Sequence, residues 1–358
     1  MAPKGSSGSA DGSSDGIALP PEWRGSAVPP FSPDVAFNGY ICANVIFALE
    51  QLGLFAELDA TRHVVLDEFI AERSLDGQMV RSLTDAAVLF GLVRVPEGRL
   101  ELTDAGASAR RMLGFFTWGV GGYHDIFAGA ADLAKGDRVF GTDVLRNEAM
   151  VALGSAQAGE TLMNHTLDEV IAELDFTILA DLGSGTCARL CRLVGSRPEA
   201  RGLGLDISAS ATELAEKTVG EIGLADRVRP VQADVLDVIL RGQHRDRTGD
   251  VDVVMSFMFF HDLVADPRTR DRIVPELRAA FPKAHTFLIA DTTLRPAVPD
   301  EPNLPVFSVG FELAHALMGV PLHTRQAYEE MFRKGGMNVR RVVPFGAPHT
   351  YLFVLTTE

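Results

Sequence analysis

The sequence predicts an α/β protein in which a doubly wound, mainly parallel sheet follows a mainly helical first half. From Asp34 to about Arg111, apolar residues recur every three or four positions, which is the helical period. After about residue 174, short apolar runs alternate with helical segments, as they do in parallel sheets covered on both faces. The last two runs, NVRRVVPF and HTYLFVLTTE, are separated only by GAP and must pair as an antiparallel hairpin.

Four segments are expected along the chain. Residues 1–30, rich in Gly, Ser and Pro and without a signal-peptide pattern, are predicted to be a disordered tail. Residues 31–112 read helix, turn, helix and a short hairpin closed at Pro96-Glu97-Gly98, which predicts a winged helix. Residues 113–174 are predicted to be connecting helices that reach the ligand site. The sheet domain occupies 175–358.

Bulk composition limits the partners of this chain. A formal net charge of −15 argues against nucleic acid, so the winged helix is expected to pack against a second copy in a homodimer. No run approaches the roughly 18 apolar residues of a membrane span, which favours a soluble, cytoplasmic protein. The three cysteines, Cys42, Cys187 and Cys191, offer no disulfide framework.

The predicted strands are TILADLG, RGLGLDI, RVRPVQADV, DVVMSFMF and HTFLIADTT, with helices such as SASATELAEKTVGEIG and DRIVPELRAAF between them. Ligands of doubly wound sheets bind at the carboxyl ends of the strands, where the strand order reverses. The first strand leads into DLGSGTCA, whose Gly183 and Gly185 permit a sharp turn and close approach of a ligand. Taken alone, this spacing is weak support for a dinucleotide.

Acidic residues at three strand ends favour a different ligand. Asp181 is placed to face a cation, Asp206 to accept hydrogen bonds from ribose hydroxyls, and Asp234 to accept from an adenine amino group. Adenosine joined to a cationic amino acid describes S-adenosylmethionine (SAM). The further candidates for contacts with this cofactor are Val235, Ser256 and Phe257.

The second half resembles the Rossmann-like class I SAM-dependent methyltransferases, which implies a seven-stranded sheet ending in an antiparallel hairpin. It departs from their Gly-x-Gly-x-Gly loop at Cys187. With the winged helix in front, the chain resembles small-molecule O-methyltransferases. Their strand that runs into His-Asp-Trp implies His261 as general base, although Leu263 replaces the Trp here.

The segment Met258–Leu322, with FFHDL, LRAAFP and PNLPVFSVGFELAHALMGV, resembles the 2-oxo-acid C-methyltransferases of nonribosomal peptide antibiotic pathways, of the phenylpyruvate type. The resemblance extends from about Asp34 to the C-terminus. It implies that His261 and His315 hold a metal ion, with iron or zinc favoured because imidazole suits both. It also implies that Arg146 binds the substrate carboxylate, for which its planar fork is suited.

Methylation at carbon 3 of a 2-oxo acid requires a Lewis acid and a base, which these residues could provide. Carbon 3 becomes nucleophilic only as an enolate, and a Lewis acid stabilises the charge that then develops on oxygen. Because neighbours on an extended strand point to opposite sides, Asp262 is expected to hold a metal-bound water or to take the carbon-bound proton, and not to be a third ligand. Asp291 is the rival base.

The acceptor pocket is expected to be aromatic and apolar, and its candidate residues are Trp118, Tyr123, Phe260, Phe311 and Met318. Tyr123 and Phe260 stand where the phenylpyruvate type carries smaller side chains, which favours a branched aliphatic substrate such as 4-methyl-2-oxopentanoate over phenylpyruvate. Two alternatives remain. One is a metal-free O-methyltransferase with His261 as base, and the other is a SAM-binding regulator whose winged helix binds DNA.

Overall fold

The computed structural model describes residues 26–27, 32–295, 303–304 and 306–357, with side chains for 32–295 and 306–357. The predicted tail at 1–30 lies outside the described residues, apart from the two-residue strand β1 (Ser26–Ala27). The next elements are the helices α1 (Pro33–Gln51), α2 (Leu54–Thr61), α3 (Leu66–Glu72) and α4 (Gly77–Leu89), the strands β2 (Val93–Arg94) and β3 (Glu101–Leu102), and α5 (Asp104–Arg111).

The order of α3, α4 and the β2–β3 hairpin is that of a winged helix, as predicted. Asp76 begins α4, because its carboxylate accepts a hydrogen bond from the backbone N–H of Met79 at 2.9 Å. Thr103 caps α5 in the same way through the N–H of Gly106. The helices and the hairpin share one apolar core that includes Leu49, Phe55, Phe69, Ala87, Leu92 and Leu100.

The middle of the chain is helical and contains two π-helical turns. Its elements are α6 (Leu113–Phe116), a π-turn at Thr117–Gly122, α7 (His124–Ala128), α8 (Ala130–Lys135), α9 (Glu148–Ala158), a π-turn at Gly159–Met163 and α10 (Asn164–Ala172). Such turns are frequently found at functional sites. Here they carry Trp118 and Gly159, which both line the cavity described below.

The remaining elements alternate between strands and helices. They are β4 (Ile178–Leu182), α11 (Ala188–Gly195), β5 (Arg201–Asp206), α12 (Ala209–Ile222), β6 (Val228–Gln232), α13 (Val235–Arg241), α14 (Arg245–Thr248), β7 (Val253–Phe257), α15 (Phe260–Leu263), α16 (Arg270–Ala280), β8 (Thr286–Thr292), β9 (Asn303–Leu304), α17 (Ser308–Met318), α18 (Arg325–Lys334), β10 (Asn338–Phe345) and β11 (Ala347–Thr356). All five predicted strands and both quoted helices are present.

Seven strands form one sheet in the order β10-β11-β8-β7-β4-β5-β6. The pairs from β8 to β6 are parallel, and β11 is antiparallel to both β8 and β10. The chain order reverses between β4 and β7, which places the expected ligand crevice at their carboxyl ends. The predicted class I fold with a C-terminal antiparallel hairpin and a helical N-terminal part is confirmed.

Apolar clusters cover both faces of this sheet. One contains Leu205, Val254 and Phe287, and the other contains Leu179, Met255 and Leu288. Neighbouring residues of a strand therefore alternate between two buried faces, as expected for a parallel sheet between helical layers. Among the described helices no single one is long and apolar enough to cross a membrane, although α1 and α2, bent by 67°, pass that test as a pair.

Candidate active site

A cavity of about 750 Å³ opens at the carboxyl ends of β4, β5, β6 and β7. Its wall combines residues from the sheet edge, the connecting helices and α17. It therefore has room for two ligands side by side, one against the glycine loop and one against the connecting helices.

The glycine loop after β4 forms one end of the cavity. Gly183 and Gly185 have φ angles of +73° and +52°, which only glycine adopts without strain. A Cβ on Gly185 would meet no other atom closer than 4.0 Å, so the open space beside it belongs to the cavity. Cys187 has φ +57° and is fully buried, and burial raises the pKa of its thiol to about 12. Cys187 thus keeps the left-handed backbone expected of a glycine at this position and acts as an inert apolar side chain.

The acids at the ends of β5 and β6 both line the cavity. The two oxygens of Asp206 accept from the N–H groups of Gly185 and Ser208, each at 2.9 Å, so the carboxylate is fixed against the glycine loop. One oxygen of Asp234 caps α13 by accepting from the N–H of Leu236 at 2.8 Å. Val235, which follows it, also lines the cavity.

Asp181 and Ser256 lie deeper than the other predicted cofactor residues. Asp181 is only 1% exposed, and burial raises the pKa of its carboxyl from 3.8 to about 7. Its Oδ1 and the hydroxyl of Ser256 are buried without a hydrogen-bond partner among the described residues. Phe257, at the end of β7, does line the cavity.

His261 and Asp262 do not leave the sheet in extended conformation, so that part of the prediction is wrong. β7 ends at Phe257, Met258 turns the backbone with φ +54°, and both residues belong to the short helix α15. Their side chains therefore lie on the same side, with 3.8 Å between His261 Nε2 and Asp262 Oδ2. Asp262 keeps 30% of its side chain exposed and lines the cavity.

Asp291, at the end of β8, is completely buried and does not line the cavity. Its carboxylate accepts from the backbone N–H of His261 at 2.8 Å and from the ring Nδ1–H of His261 at 2.8 Å. It also accepts from the N–H of Thr292 at 2.9 Å and from the hydroxyl of Tyr328 at 3.4 Å. Because its oxygens are occupied and out of reach of a ligand, Asp291 is suited to orient His261 and not to act as the predicted rival base.

The ring of His315, on α17, lies beside that of His261. Their Nε2 atoms are 3.0 Å apart, and their ring planes are nearly perpendicular at 89°. The Nδ1 of His315 donates to the carbonyl oxygen of Phe311 at 2.7 Å, since a carbonyl can only accept. With Nδ1–H of His261 donated to Asp291, both Nε2 atoms present lone pairs to the same small space.

Two facing lone pairs repel unless a proton or a cation lies between them. Burial lowers the pKa of His315 to about 2, with help from the charge on His261. Burial also opposes protonation of His261, but the carboxylates of Asp291 and Asp262 outweigh it and raise its pKa above 6.5. In the metal-free protein, a proton on Nε2 of His261 would relieve this repulsion.

The same arrangement fits a metal ion. Metal–nitrogen bonds of about 2.1 Å at roughly 90° put two ligand atoms about 3.0 Å apart, which is the separation between these Nε2 atoms. Both Nδ1–H groups are held by acceptors, as in metal-binding histidines. In the described part of the chain, no group of three His, Cys, Asp or Glu residues converges as a ready-made ligand set. Two imidazoles would leave the other coordination positions to water or a substrate.

Arg146 approaches this centre from the loop before α9. Its Nη1 donates to the hydroxyl of Tyr123 at 3.3 Å, and both side chains line the cavity beside Asp262. Trp118 stacks on Tyr123 with 4.0 Å between ring centroids, and Phe311 packs against His315 in a tilted arrangement at 3.9 Å. The predicted carboxylate-binding cation and three predicted aromatic residues thus surround the two imidazoles.

Phe260 and Met318 do not line the cavity, so their assignment to the acceptor pocket is wrong. Phe260 is fully buried and packs against Tyr328 and Phe332, with ring centroids 5.9 and 5.2 Å away. Helix α15 turns its side chain into the sheet core, a direction that an extended strand would not have given. Met318 is 9% exposed and packs in the apolar cluster behind Trp118 and Phe311.

Three residues of this region were not found from the sequence. Arg189 and Phe307 line the cavity, and Tyr328 contacts Asp291 from α18. The position of Arg189 in the first turn after the glycine loop was a usable signal. Nothing in the local pattern of Phe307 or Tyr328 distinguishes them from ordinary core residues.

No family model matches this chain. The indolepyruvate C-methyltransferase of Streptomyces griseus is 30% identical over 335 residues, which cover 89% of this chain and 93% of that enzyme. Human N-acetylserotonin methyltransferase in complex with SAM has the same fold, with a TM-score of 0.61 and 15% identity over 90% of this chain and 96% of that one.

The mitomycin 7-O-methyltransferase also shares the fold, at a TM-score of 0.60 and 17% identity over 90% of this chain and 96% of that one. The C-methyltransferase match spans nearly the whole of both chains at an identity that shows common descent. The chain therefore belongs to the SAM-dependent methyltransferases.

Proposed function

We propose that the protein transfers the methyl group of SAM to carbon 3 of a 2-oxo acid, with a metal ion held by His261 and His315. The observation that carries this proposal is the pair of Nε2 lone pairs 3.0 Å apart, with both Nδ1–H groups donated elsewhere. An O-methyltransferase needs one histidine as a base. A second buried imidazole aimed at the first has no task in that reaction.

The methyl donor is assigned to the glycine-loop end of the cavity. Asp206 would accept from the ribose hydroxyls, and the second oxygen of Asp234 from the adenine amino group. Gly185 leaves open space beside its backbone for the ligand, whereas the corresponding space at Gly183 is filled by the ring of Phe259. With the donor in this orientation, its sulfonium methyl would face the two imidazoles, which line the same cavity.

The 2-oxo acid is assigned to the other end. Arg146 is suited to bind its carboxylate through two parallel N–H···O bonds. The Trp118–Tyr123 stack and Phe311 offer an apolar wall to its side chain. Since Phe260 lies outside the cavity, only Tyr123 remains of the two bulky residues that favoured a short aliphatic side chain. The candidate substrates are 4-methyl-2-oxopentanoate, phenylpyruvate and indolepyruvate.

Asp262 is assigned as the base. Its Oδ2 lies 3.8 Å from Nε2 of His261 and it lines the cavity, whereas Asp291 is buried and occupied. It would take the proton from carbon 3, and the resulting carbanion would attack the methyl carbon in line with its bond to sulfur. The carbon–sulfur electron pair goes to sulfur, which leaves S-adenosylhomocysteine.

A metal ion bound by His261 and His315 would supply Lewis-acid stabilisation of the negative charge that develops on the keto oxygen. Asp291 would keep Nε2 of His261 free by holding its Nδ1–H, and the carbonyl of Phe311 would do the same for His315. Burial of both rings excludes water from their sides.

Metal analysis of the purified protein and its His315→Ala variant tests the proposal. We expect about one ion per chain in the wild type and far less in the variant, together with loss of methylation of all three 2-oxo acids. His323→Ala is a matched control, because His323 is a partly buried histidine that does not line the cavity. Full metal content and turnover in His315→Ala would refute the proposal.

Homodimer formation, the absence of nucleic-acid binding and a role in antibiotic biosynthesis remain predictions. The exposed apolar side chains of α1, Val35, Phe37 and Tyr40, are consistent with a contact between two copies. Light scattering of the purified chain at several concentrations would determine its oligomeric state.

A further inference from the structure

The hydroxyl group of Tyr123 is a buried hydrogen-bond donor that the structure leaves unused. Tyr123 is 2% exposed and lines the cavity. Its oxygen accepts from Nη1 of Arg146 at 3.3 Å, since a guanidinium can only donate. Among the described residues no acceptor is found for the O–H proton of Tyr123. Because a buried donor without an acceptor is costly, an oxygen atom of a ligand is expected at this position.

The charges around Tyr123 keep the phenol in its protonated form. Burial raises the pKa of this phenol, the positive charge of Arg146 opposes the rise, and the negative charge of Asp262 adds to it. At neutral pH the hydroxyl is therefore a donor and is not suited to act as a base. The task of removing a proton is left to Asp262.

Tyr123 lies next to both groups that are assigned to the head of the 2-oxo acid. Its oxygen is 3.3 Å from Nη1 of Arg146, and its ring centroid is 6.4 Å from that of His315. A phenol oxygen accepts and donates in directions roughly 120° apart, so an oxygen that accepts its proton at about 2.7 Å would lie about 5 Å from Nη1. A carboxylate oxygen bound to Nη1 would then lie beside that position, as a carboxylate oxygen lies beside the keto oxygen in a 2-oxo acid.

We propose that the Tyr123 hydroxyl donates a hydrogen bond to the keto oxygen of the 2-oxo acid and stabilises the negative charge that develops there. When Asp262 takes the proton from carbon 3, the electron pair of the broken bond forms the double bond between carbons 2 and 3, and the keto oxygen becomes negative. Tyr123 keeps its own proton throughout. The inference rests on the proposed function, because it requires a 2-oxo acid with its carboxylate on Arg146.

Aromatic contacts fix the ring that carries this hydroxyl. Tyr123 stacks on Trp118 with 4.0 Å between centroids, and the ring of Phe127 lies 6.3 Å from Trp118 and 6.4 Å from Tyr123. A donor that is fixed before the reaction stabilises developing charge without the cost of reorienting. Phenylalanine at this position would keep the ring contacts and lose only the hydroxyl.

Deuterium exchange at carbon 3 of 4-methyl-2-oxopentanoate measures removal of the proton separately from methyl transfer. The reaction is followed by proton NMR in deuterium oxide, with S-adenosylhomocysteine in the donor site so that no methyl group can be transferred. The rate without protein is subtracted. Steady-state methylation of the same acid gives kcat and KM.

Tyr123→Phe is expected to slow the exchange by about 10- to 100-fold, the factor expected for one hydrogen bond to a charged group, and to lower kcat by a similar factor. KM should change by less than about threefold, because the hydroxyl acts mainly on charge that is absent from the bound substrate. Tyr351→Phe is the matched control, since Tyr351 lies on β11 and does not line the cavity. Its exchange rate, kcat and KM should equal those of the wild type.

The results distinguish this inference from the proposed function. If the wild type exchanges carbon 3 protons and Tyr123→Phe does so equally fast, the inference is overturned and the proposed function stands. A rise in KM alone would also overturn it, because the hydroxyl would then only hold Arg146 or the carboxylate in place. If the wild type itself produces no exchange above the rate without protein, both the proposed function and this inference fail.

Discussion

Replacement of Asp291 by asparagine tests how the chain keeps both Nε2 atoms free. The wild-type carboxylate is an acceptor only, and it holds the Nδ1–H of His261 at 2.8 Å and its backbone N–H at 2.8 Å. Asparagine has one accepting oxygen and one donating NH₂ group. If the oxygen keeps the backbone N–H, the NH₂ group faces Nδ1, and the ring must move its proton to Nε2.

The proton on Nε2 would then point at Nε2 of His315, 3.0 Å away, and form a hydrogen bond between the two imidazoles. Nε2 of His261 would then carry the proton and Nε2 of His315 would accept it, so neither nitrogen would have a lone pair free for a metal ion. We therefore expect metal affinity to fall by about 10- to 100-fold, or about 1.4–2.7 kcal/mol, in the range found when the partner of a metal-binding histidine is replaced. The free energy of unfolding should fall by only about 1–3 kcal/mol, because most of the donors remain paired.

Competition with a chelator of known affinity measures the first quantity, and urea unfolding of the metal-free protein measures the second. Nitrogen-15 NMR of labelled histidine distinguishes the two tautomers directly. Tyr328→Phe is the control, since it removes only the 3.4 Å contact to the same carboxylate and should change metal affinity by less than about threefold. Unchanged metal affinity in Asp291→Asn would refute the reasoning.

Three further predictions concern the two ends of the cavity. Arg146→Lys should raise KM for the 2-oxo acid by about 10-fold with a smaller change in kcat, because the charge remains and the bidentate fork is lost; steady-state kinetics checks this. Phe311→Leu should change KM and substrate preference, because Phe311 lines the cavity. Phe260→Leu should lower the free energy of unfolding by about 1 kcal/mol and leave KM unchanged, because Phe260 packs in the core. Equal effects of the two substitutions on KM would contradict the cavity as described. The buried carboxyl of Asp181, whose pKa burial raises to about 7, should make the free energy of unfolding depend on pH, and urea unfolding of Asp181→Asn should lack that dependence. Since the folded chain holds this proton more tightly than the unfolded chain, the same group makes the unliganded protein less stable as pH rises from about 4 to 7.

The sheet and its ligand crevice were predictable because their signals are local. Each parallel strand is a short apolar run, and an acid or glycine follows at its carboxyl end, as in DLGSG after β4. The reversal of chain order between β4 and β7 then brings these ends together whatever the details of the helices.

The error at α15 has a specific cause. The run SFMFF continues the apolar pattern of β7 without interruption, but Met258 adopts φ +54° and starts a helix two residues later. The Asp291 carboxylate stabilises that helix by accepting the N–H of His261, and it comes from β8, 30 residues away along the chain. Local sequence could not show this contact. It decides that Asp262 lies on the same side as His261 and that Phe260 points into the core.

The proximity of His261 and His315 is likewise non-local. In α17 the spacing of His315 is that of an ordinary buried helical residue, and only the resemblance to a known family singled it out. Arg189 was missed although its position just after the glycine loop is a local signal, because that signal also has an ordinary explanation. An arginine after a glycine loop looks like a solvent-exposed helix charge until Phe257 and the cavity are seen beside it.

The most direct test of the central claim is an NMR assay of the product made from carbon-13 methyl-labelled SAM and a 2-oxo acid, before and after removal of metal by a chelator. We predict that the labelled methyl group appears on carbon 3, that chelation abolishes its transfer, and that added iron or zinc restores it. A methyl group on oxygen, or full transfer to carbon 3 by the metal-free protein, would contradict the account.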